Sequence, residues 1–278
     1  MIHTLITPQK KPPDIPLQAL TDDVYLDPSD GLLHCCTCHM PRQKHMMLWG
    51  KVFTPSIPCL CQQAEREAEE RRREEEEKEL VRSYLRSVGL GWTILKNYRF
   101  DHLQGIDPYI RKKLQTYAER LSEFENKGLI LWGQPGTGKT FAAGCIINQT
   151  IDNLYPAAMV SFRQLLSELS ALSIADRKDR LDRLFANRLI CLDDLDLQFV
   201  AKFDIPLVMD IADRIDRSDR PVIITTRYTI RELNQPQTNL EQKVFPILLT
   251  RSVPLHIQGD DLRKKEQENT LHKMQESL

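Results

Sequence analysis

A glycine-rich segment in the middle of the chain has the residue pattern of a phosphate-binding loop. It reads Gly-Gln-Pro-Gly-Thr-Gly-Lys-Thr at residues 133–140, and the short apolar run 128–133 that leads into it predicts a buried strand. Glycines allow the backbone to curl so that its N–H groups point at phosphate oxygens, at the start of a helix. The predicted nucleotide contacts are Gly133, Gln134, Pro135, Gly136, Thr137, Gly138, Lys139, Thr140 and Phe141.

Two side chains of this loop would act on a bound nucleoside triphosphate. The amine of Lys139 would neutralise β- and γ-phosphate oxygens, and the hydroxyl of Thr140 would hold Mg²⁺. Such a site also needs a carboxylate at the end of a neighbouring buried strand. The apolar run Leu189–Leu192, followed by Asp193 and Asp194, lies about fifty residues downstream and meets this need. We expect Asp193 to hold the magnesium ion and Asp194 to be the base for the attacking water.

A second cluster of reactive side chains lies near the N-terminus, where five of the seven cysteines fall between residues 35 and 61. Cys35 and Cys38 form a C-x2-C pair, and Cys59 and Cys61 form a C-x-C pair twenty residues later. Two such corners are typical of a tetrahedral Zn²⁺ site, and the metal would supply much of the folding free energy of a small module. We therefore predict a zinc-binding module at residues 31–63. The competing ligands are Cys36, His34 and His39.

Two alternatives to zinc remain for these cysteines. They would be free thiols in a flexible tail, or they would form a disulfide framework. A disulfide framework needs an oxidising compartment, and no secretory signal peptide supports one.

A long charged segment follows the cysteine cluster. Residues 65–79 are charged at every position except Ala68, and opposite charges recur four apart, as at Glu67/Arg71, Glu69/Arg73 and Glu74/Lys78. Each such pair stabilises a helix by about 0.3 kcal/mol. The segment continues into an apolar stripe at helical spacing, formed by Leu80, Val81, Tyr84, Leu85 and Val88. We predict a solvated helical linker at residues 64–88, with a partner-binding surface as the alternative.

The order of apolar runs predicts the fold class. Strand candidates alternate with helical patterns, which indicates an α/β protein with a doubly wound parallel sheet and ligand at the carboxyl ends of its strands. The strand candidates are residues 128–133, 158–162, 189–192, 221–226 and 253–257, and the helical patterns are 163–172, 179–186 and 205–217. The remaining domain assignments are a flexible segment at 1–30, a P-loop ATPase domain at 89–263 and a polar tail at 264–278.

The overall composition excludes several classes of protein. No apolar run in the 278 residues reaches the roughly 18 residues of a membrane span. The first twenty residues contain four prolines and no apolar signal-peptide core, so we expect a cytoplasmic protein without membrane contact. The net charge of −1 argues against coating nucleic acid through bulk charge. It combines −4 in residues 65–79 with +3 elsewhere, so modest affinity for nucleic acid stays open.

These features together resemble a known family, the bacterial and phage replicative helicase loaders of the DnaC/DnaI type. These are AAA+ ATPases related to the IstB transposition helpers. The resemblance extends over about residues 31–263 and rests on the cysteine module, the charged helix, the glycine-rich loop with its strand, Leu-Asp-Asp-Leu at 192–195 and Val-Ile-Ile-Thr-Thr at 222–226. The segments 243–249 and 259–263 are similar to the family's last arginine-bearing helix and the segment after it.

The resemblance implies a mechanism. In such loaders the N-terminal module binds the hexameric replicative helicase, and the AAA+ domain binds ATP and single-stranded DNA, holds the helicase ring open and then releases it. The implied cofactors are ATP, Mg²⁺ and Zn²⁺, and self-association into a ring or spiral on the helicase is part of this expectation. By position, Thr226 and Arg263 would contact nucleotide, and Lys202 and Arg227 are candidate contacts to DNA.

Two departures from the family pattern bear on hydrolysis. The family usually has Asn after the Thr-Thr pair, where it helps to place the attacking water, and this chain has Arg227. The family's last helix carries an arginine finger for a neighbouring subunit, and this chain has Ile247 there. Arg251 is a candidate substitute, although Pro246 should alter the start of that helix. Losing such an arginine costs about 10³–10⁵ in rate, so we predict slow or partner-dependent hydrolysis.

Three other functions fit parts of the sequence. An IstB-type transposition helper would share the ATPase domain, but its usual N-terminus lacks the cysteine cluster. A P-loop kinase or small-molecule enzyme would need an arginine-rich lid and a substrate pocket, and the sequence indicates neither. A nucleotide-binding adaptor with little intrinsic hydrolysis would explain Arg227 and Ile247.

Overall fold

The chain divides into two compact units, and the boundary between them falls inside a long helix. The computed structural model describes residues 23–91, 93–103, 105–124, 126–198, 200, 204–259 and 261. The two units are Met1–Glu77 and Lys78–Leu278. Two predicted contact residues, Arg263 and Lys202, lie outside the described residues, as does the predicted tail at 264–278.

The first unit contains two short antiparallel hairpins. Asp27 and Asp30 close the turn of the first, because their carboxylates accept hydrogen bonds from the backbone N–H groups of Ser29 and Leu32 at 2.8 and 2.9 Å. Residues 24–30, which the sequence assigns to a flexible segment, therefore fall within an ordered hairpin. The paired strands are β1 (Val24–Leu26) with β2 (Leu33–Cys35) and β3 (Met46–Leu48) with β4 (Lys51–Phe53).

Helix α1 (Leu60–Gly89) covers the whole predicted linker. Two of the predicted ion pairs form, Glu67–Arg71 with 3.8 Å and Glu69–Arg73 with 2.7 Å between charged atoms. All four side chains are largely exposed, so the pairs support the helix and contribute little to tertiary packing.

The last turns of α1 belong to the second unit. Arg82 donates a hydrogen bond to the carbonyl oxygen of Asp152 at 3.1 Å, and Arg86 donates to the carboxylate of the same residue. Leu85 packs against the core. The other residues of the predicted apolar stripe are exposed, namely Leu80, Val81, Tyr84 and Val88. The two arginines and Leu85 therefore fix this part of the helix, whereas the rest of the stripe does not pack.

A parallel sheet forms the centre of the second unit. Its spatial order is β6-β7-β8-β5-β9, and all neighbours run parallel. The predicted strands are confirmed, except that β7 runs three residues further than its apolar run because a bulge between Leu192 and Leu195 carries the strand on. The strands are β5 (Gly128–Trp132), β6 (Ala157–Ser161), β7 (Leu189–Leu195), β8 (Val222–Thr226) and β9 (Ser252–His256).

Helices cover both faces of this sheet. Alternate strand residues enter opposite cores, as Ile130 and Leu131 do in β5, so the central strands β5, β7 and β8 are buried on both sides. This arrangement confirms the predicted doubly wound α/β fold. None of the described helices is both long enough and apolar enough to cross a membrane. The helices are α2 (Pro108–Glu119), α3 (Lys139–Asp152), α4 (Phe162–Ala171), α5 (Ile174–Phe185), α6 (Ile205–Arg217), α7 (Ile230–Asn234) and α8 (Asn239–Arg251).

Helix α8 differs from the expectation about Pro246. The hydroxyl of Thr238 accepts from the backbone N–H of Glu241, and the Glu241 carboxylate accepts from that of Thr238, so a capping box starts the helix at Asn239. Pro246 lies inside the helix and does not alter its start. It costs one backbone hydrogen bond in the helix interior, which is the ordinary effect of an internal proline.

Candidate functional site

The glycine-rich loop connects β5 to α3, and the carboxylate of Asp261 lies beside Gly136 of this loop. Gly136 and Gly138 have φ of 82° and 92°, a left-handed conformation that side chains with a Cβ rarely adopt. Gly133 is needed for space, because a Cβ there would lie 2.4 Å from the carbonyl oxygen of Ile257. The N-cap residue of α3 is Gly138, which offers no side chain to the first turn, and backbone N–H groups at such a helix start favour an anion.

Lys139 folds back over its own loop. Its amine donates hydrogen bonds to the carbonyl oxygens of Gly133 and Gln134, at 2.9 and 2.7 Å. The loop is closed by a bond of 2.9 Å from the hydroxyl of Thr137 to the same Gln134 carbonyl. The structure thus holds the ammonium group beside the start of α3, where phosphate oxygens of a nucleotide would bind.

Asp193 and Thr140 meet at the carboxyl ends of the strands. The hydroxyl of Thr140 donates to one carboxylate oxygen of Asp193 at 3.3 Å, and Thr225 donates to the other at 2.6 Å. Asp193 is buried, and this burial raises its pKa, while the bonds from Thr225 and Thr140 oppose the shift. A hydroxyl and a carboxylate side by side are the hard oxygen ligands that Mg²⁺ prefers, so these residues fit the predicted ion.

The neighbouring Asp194 has a different environment. It is exposed, and it has a φ of 55° at the β7 bulge, where its backbone N–H donates to the hydroxyl of Thr225 at 2.8 Å. The bulge therefore turns two consecutive acids to different surroundings, one buried beside Thr140 and one in solvent. The role of Asp194 as base stays a prediction.

Thr225, which the sequence did not single out, is the threonine of β8 that contacts Asp193. Leu192 and Ile224 are register partners, which places Thr225 beside Asp193. The hydroxyl of Thr226 instead donates to the carbonyl oxygen of Leu195 at 2.8 Å. Thr225 therefore bonds directly to Asp193. The hydroxyl of Thr226, a predicted nucleotide contact, is instead used in a hydrogen bond between β8 and β7.

Arg227 and Asp196 form an ion pair just beyond the strand ends. Tyr228 lies under this pair, because its hydroxyl accepts from the backbone N–H of Leu197 at 3.1 Å and lies 3.5 Å from the Asp196 carboxylate. Arg227, a candidate contact to DNA, is thus held by an acid of its own chain.

The ring of Phe141 lies against the helical segment before α2. It stacks on Tyr98 with 4.2 Å between ring centroids and 19° between planes. A Cβ on Gly144 would lie 2.6 Å from that tyrosine ring, and Asn148 donates to the carbonyl oxygen of Leu95 at 2.7 Å. These contacts pack residues 93–98 on α3, so they join the predicted nucleotide contact Phe141 to a rigid part of the domain.

The predicted cysteine ligands come together in the first unit. The sulfur atoms of Cys35, Cys38, Cys59 and Cys61 all lie within 4.8 Å of one another. Zn²⁺ with bonds of about 2.3 Å to four sulfurs would separate them by about 3.8 Å, so the set fits a tetrahedral site. The Met40 backbone N–H lowers the pKa of Cys38 to about 6, and the hydrogen bond with Cys38 raises that of Cys61 to about 12. A cation would remove this conflict between neighbouring thiolates.

The competing ligands have other partners or lie outside the cluster. His34 contacts the Asp30 carboxylate at 2.9 Å and the His39 carbonyl at 3.0 Å. His39 contacts the hydroxyl of Tyr25 at 3.3 Å, and Cys36 is exposed. The geometry therefore favours the four-cysteine set over these three.

We expect Thr225→Val to shift the pH dependence of magnesium–nucleotide binding. The Thr225 hydroxyl stabilises ionised Asp193, so its loss raises the pKa of that carboxyl, and protonation then competes with Mg²⁺ at a higher pH. The acid midpoint for binding should move upward when a fluorescent ATP analogue is titrated with Mg²⁺ across a pH series.

Thr226→Val is the matched control, because Thr226 is equally buried and its hydroxyl contacts only backbone groups in the described bonds. It should lower the free energy of unfolding and leave the midpoint unchanged. Equal midpoints for both variants would contradict the role of Thr225.

The fold and the loop define a P-loop ATP-binding protein of the AAA+ class. A parallel sheet carries the glycine-rich loop after β5 and the acid Asp193 on β7, two strands that flank β8. The chain matches the family described as IstB-like ATP binding protein over residues 61–270, and it belongs to that family. No curated protein matches the sequence.

Two solved structures have a similar fold. One is the DnaC helicase loader, with a TM-score of 0.53 and 18% identity, covering 60% of this chain and 100% of that one. Another is DnaI, with a TM-score of 0.51 and 21% identity, covering 62% of this chain and 94% of that one. At these identities the likeness is one of fold.

Proposed function

We propose that this protein is an ATP-dependent loader that binds the replicative DNA helicase through its cysteine module and places it on single-stranded DNA. The proposal rests on the observation that a single chain contains both a nucleotide site and, in a separate unit, a module with four clustered cysteines. The nucleotide site lies in a fold shared with the solved DnaC helicase loader, which supports the loader over other P-loop proteins.

Nucleotide binding in this proposal uses residues already held in position. The N–H groups at the start of α3 bind phosphate, and Lys139 exchanges its carbonyl partners for phosphate oxygens. Thr140 and Asp193 would hold Mg²⁺, which would neutralise phosphate charge. Asp194 follows Asp193 directly in the sequence, its side chain is exposed, and it remains our candidate base for the attacking water.

Hydrolysis by the isolated protein should be slow. Ile247 is half-buried against the core of the sheet and cannot stabilise phosphate charge. Arg251, the candidate substitute finger, donates to the carbonyl oxygen of Ser218, and Arg227 is paired with Asp196. Both arginines are thus engaged within their own chain, which supports turnover that depends on a partner.

Native mass measurement with the helicase from the same genome tests the proposal. We expect a defined complex that depends on ATP for its stability or its stoichiometry. Single-stranded DNA should bind with a salt-dependent, sequence-independent affinity. No complex with or without ATP would end the loader proposal.

A nucleotide-binding adaptor with little hydrolysis is the second candidate, supported by Ile247 and the engaged arginines. Phosphate release separates the two, measured with helicase and single-stranded DNA present. A loader should be stimulated by these partners, whereas an adaptor should stay slow. Rapid turnover by the protein alone would contradict both. Zinc in the purified protein would favour either over a transposition helper without a cysteine module.

A further inference from the structure

The hairpin formed by β3 and β4 presents an unusual amount of apolar surface. All six of its strand residues are exposed. Six large apolar side chains between residues 46 and 53 are 46–90% exposed, and because side chains alternate along each strand they cover both faces of the hairpin. They are Met46, Met47, Leu48, Trp49, Val52 and Phe53. A patch of this kind marks an interaction site in a soluble protein.

The turn of this hairpin indicates that Trp49 does not stabilise its own unit. Trp49 and Gly50 have φ of 50° and 75°, as in the two-residue turn that favours Asn-Gly. A large aromatic residue is strained in this left-handed conformation. Trp49 nevertheless occupies it and is 90% exposed, so its own unit gains no burial in return.

The base of the hairpin is tied to the cysteine cluster. The backbone N–H of Lys44 donates to the Pro55 carbonyl at 3.1 Å, and that of Ile57 donates to the Arg42 carbonyl at 2.8 Å. These bonds extend the ladder toward Cys38 and Cys59, which flank the hairpin in sequence. A bare two-stranded hairpin is marginally stable in water, so this anchorage holds the patch in place.

Charge and side-chain type indicate the occupant. Residues 31–64 contain no Asp or Glu, and they contain three basic residues, Arg42, Lys44 and Lys51. Single-stranded nucleic acid would be bound by aromatic rings along a basic track. Here four of the six exposed apolar residues are aliphatic and cannot stack on bases. Methionine, aromatic residues and arginine are enriched at protein–protein interfaces instead, and the basic charge of this segment is complementary to an acidic surface.

We propose that the hairpin at residues 46–53 inserts into an apolar cleft with an acidic rim on a folded protein partner. Resting on the proposed function, the partner is the replicative helicase. Trp49 at the tip is the central anchor, Met47 and Val52 cover one face of the hairpin, and Lys51 meets the acidic rim.

Affinity measurements on the full-length protein test this proposal. Trp49→Ala should weaken helicase binding by about 30-fold or more, as expected for a buried aromatic hot spot. Lys51→Glu should lower the association rate at low salt, with the difference shrinking at high salt. Ile174→Ala is the control, since it removes a side chain that is 83% exposed on α5 and should bind like the wild type. Equal zinc content shows that each variant keeps its module folded.

Each other outcome has a distinct meaning. If the wild type binds helicase and Trp49→Ala binds equally well, the hairpin proposal is wrong while the loader proposal stands. If the wild type binds no helicase, both are wrong. If Trp49→Ala loses affinity for single-stranded DNA or for anionic lipid vesicles but keeps helicase binding, the occupant is not a protein and the inference is overturned.

Discussion

Replacing Lys139 with alanine should abolish ATP binding and leave the second unit folded. In the described hydrogen bonds the Lys139 amine contacts two carbonyl groups of its own loop, and other residues form the core of the second unit. In the complex the same amine meets phosphate charge. Truncating one partner of a hydrogen-bonded charge pair costs about 2–5 kcal/mol, which is about 30-fold to several thousand-fold in affinity.

Two measurements check this expectation. A fluorescent ATP analogue should show saturable binding to the wild type and none to Lys139→Ala in the same concentration range. Nucleotide at a hundred times its Kd should stabilise the wild type by about 2.7 kcal/mol, and this gain should vanish in the variant.

Lys178→Ala is a matched control, since Lys178 is an exposed lysine on α5 outside the site. It should bind like the wild type. Unchanged binding by Lys139→Ala would refute the assignment of the phosphate-binding loop.

Replacing Cys59 with serine should unfold the first unit by preventing metal binding. Cys59 is buried among the three other thiols, and few other buried apolar side chains are described in that unit. Structural zinc contributes about 10–16 kcal/mol of apparent folding free energy in small zinc-binding peptides, so the loss of one ligand should be severe. Zinc content should fall from one ion per chain, and limited proteolysis should cleave within residues 23–59.

Cys36→Ser controls for the loss of a cysteine as such, because Cys36 is exposed and lies outside the four-thiol set. It should retain zinc and resist the protease. Both variants should still bind nucleotide, since the site lies in the other unit. Full zinc content in Cys59→Ser would show that the ligand set is wrong.

Much of the nucleotide site could be predicted from the sequence because its chemistry is local. The glycines, Lys139 and Thr140 are consecutive, and the loop's function depends on backbone conformations that these residue types favour. Asp193 could be predicted because a buried strand that ends in an acidic residue has a clear sequence pattern. The two cysteine pairs could be predicted as well, because the residues of each pair are close together in the sequence.

Thr225 could not be distinguished from Thr226 in this way. Which of two adjacent threonines contacts Asp193 depends on the register between β7 and β8 and on the bulge after Leu192. A shift of one residue would exchange their directions, and the sequence does not specify this register. The pairing of Arg227 with Asp196 likewise joins residues 31 positions apart at the ends of two strands.

Which apolar residues of the two units are buried also could not be predicted from the sequence. The sequence predicted an apolar stripe at the end of α1 within a solvated linker, and it did not show that Leu85 of this stripe packs on the core while Arg82 and Arg86 bond to Asp152. In the first unit, the exposure of residues 46–53 could be known only once their strands were paired and found to have no cover among the described residues.

The sequence by itself determined the class of the fold, the phosphate-binding loop, the acidic strand end and the two short-range cysteine pairs. These depend on local conformational preference and on short spacing, which a linear pattern records. Only the tertiary structure decided which hydroxyl supports Asp193, which arginines are engaged within the chain, and which apolar residues remain exposed. Those outcomes depend on strand register and on competition between distant groups for the same partner, and both arise only when the chain is folded.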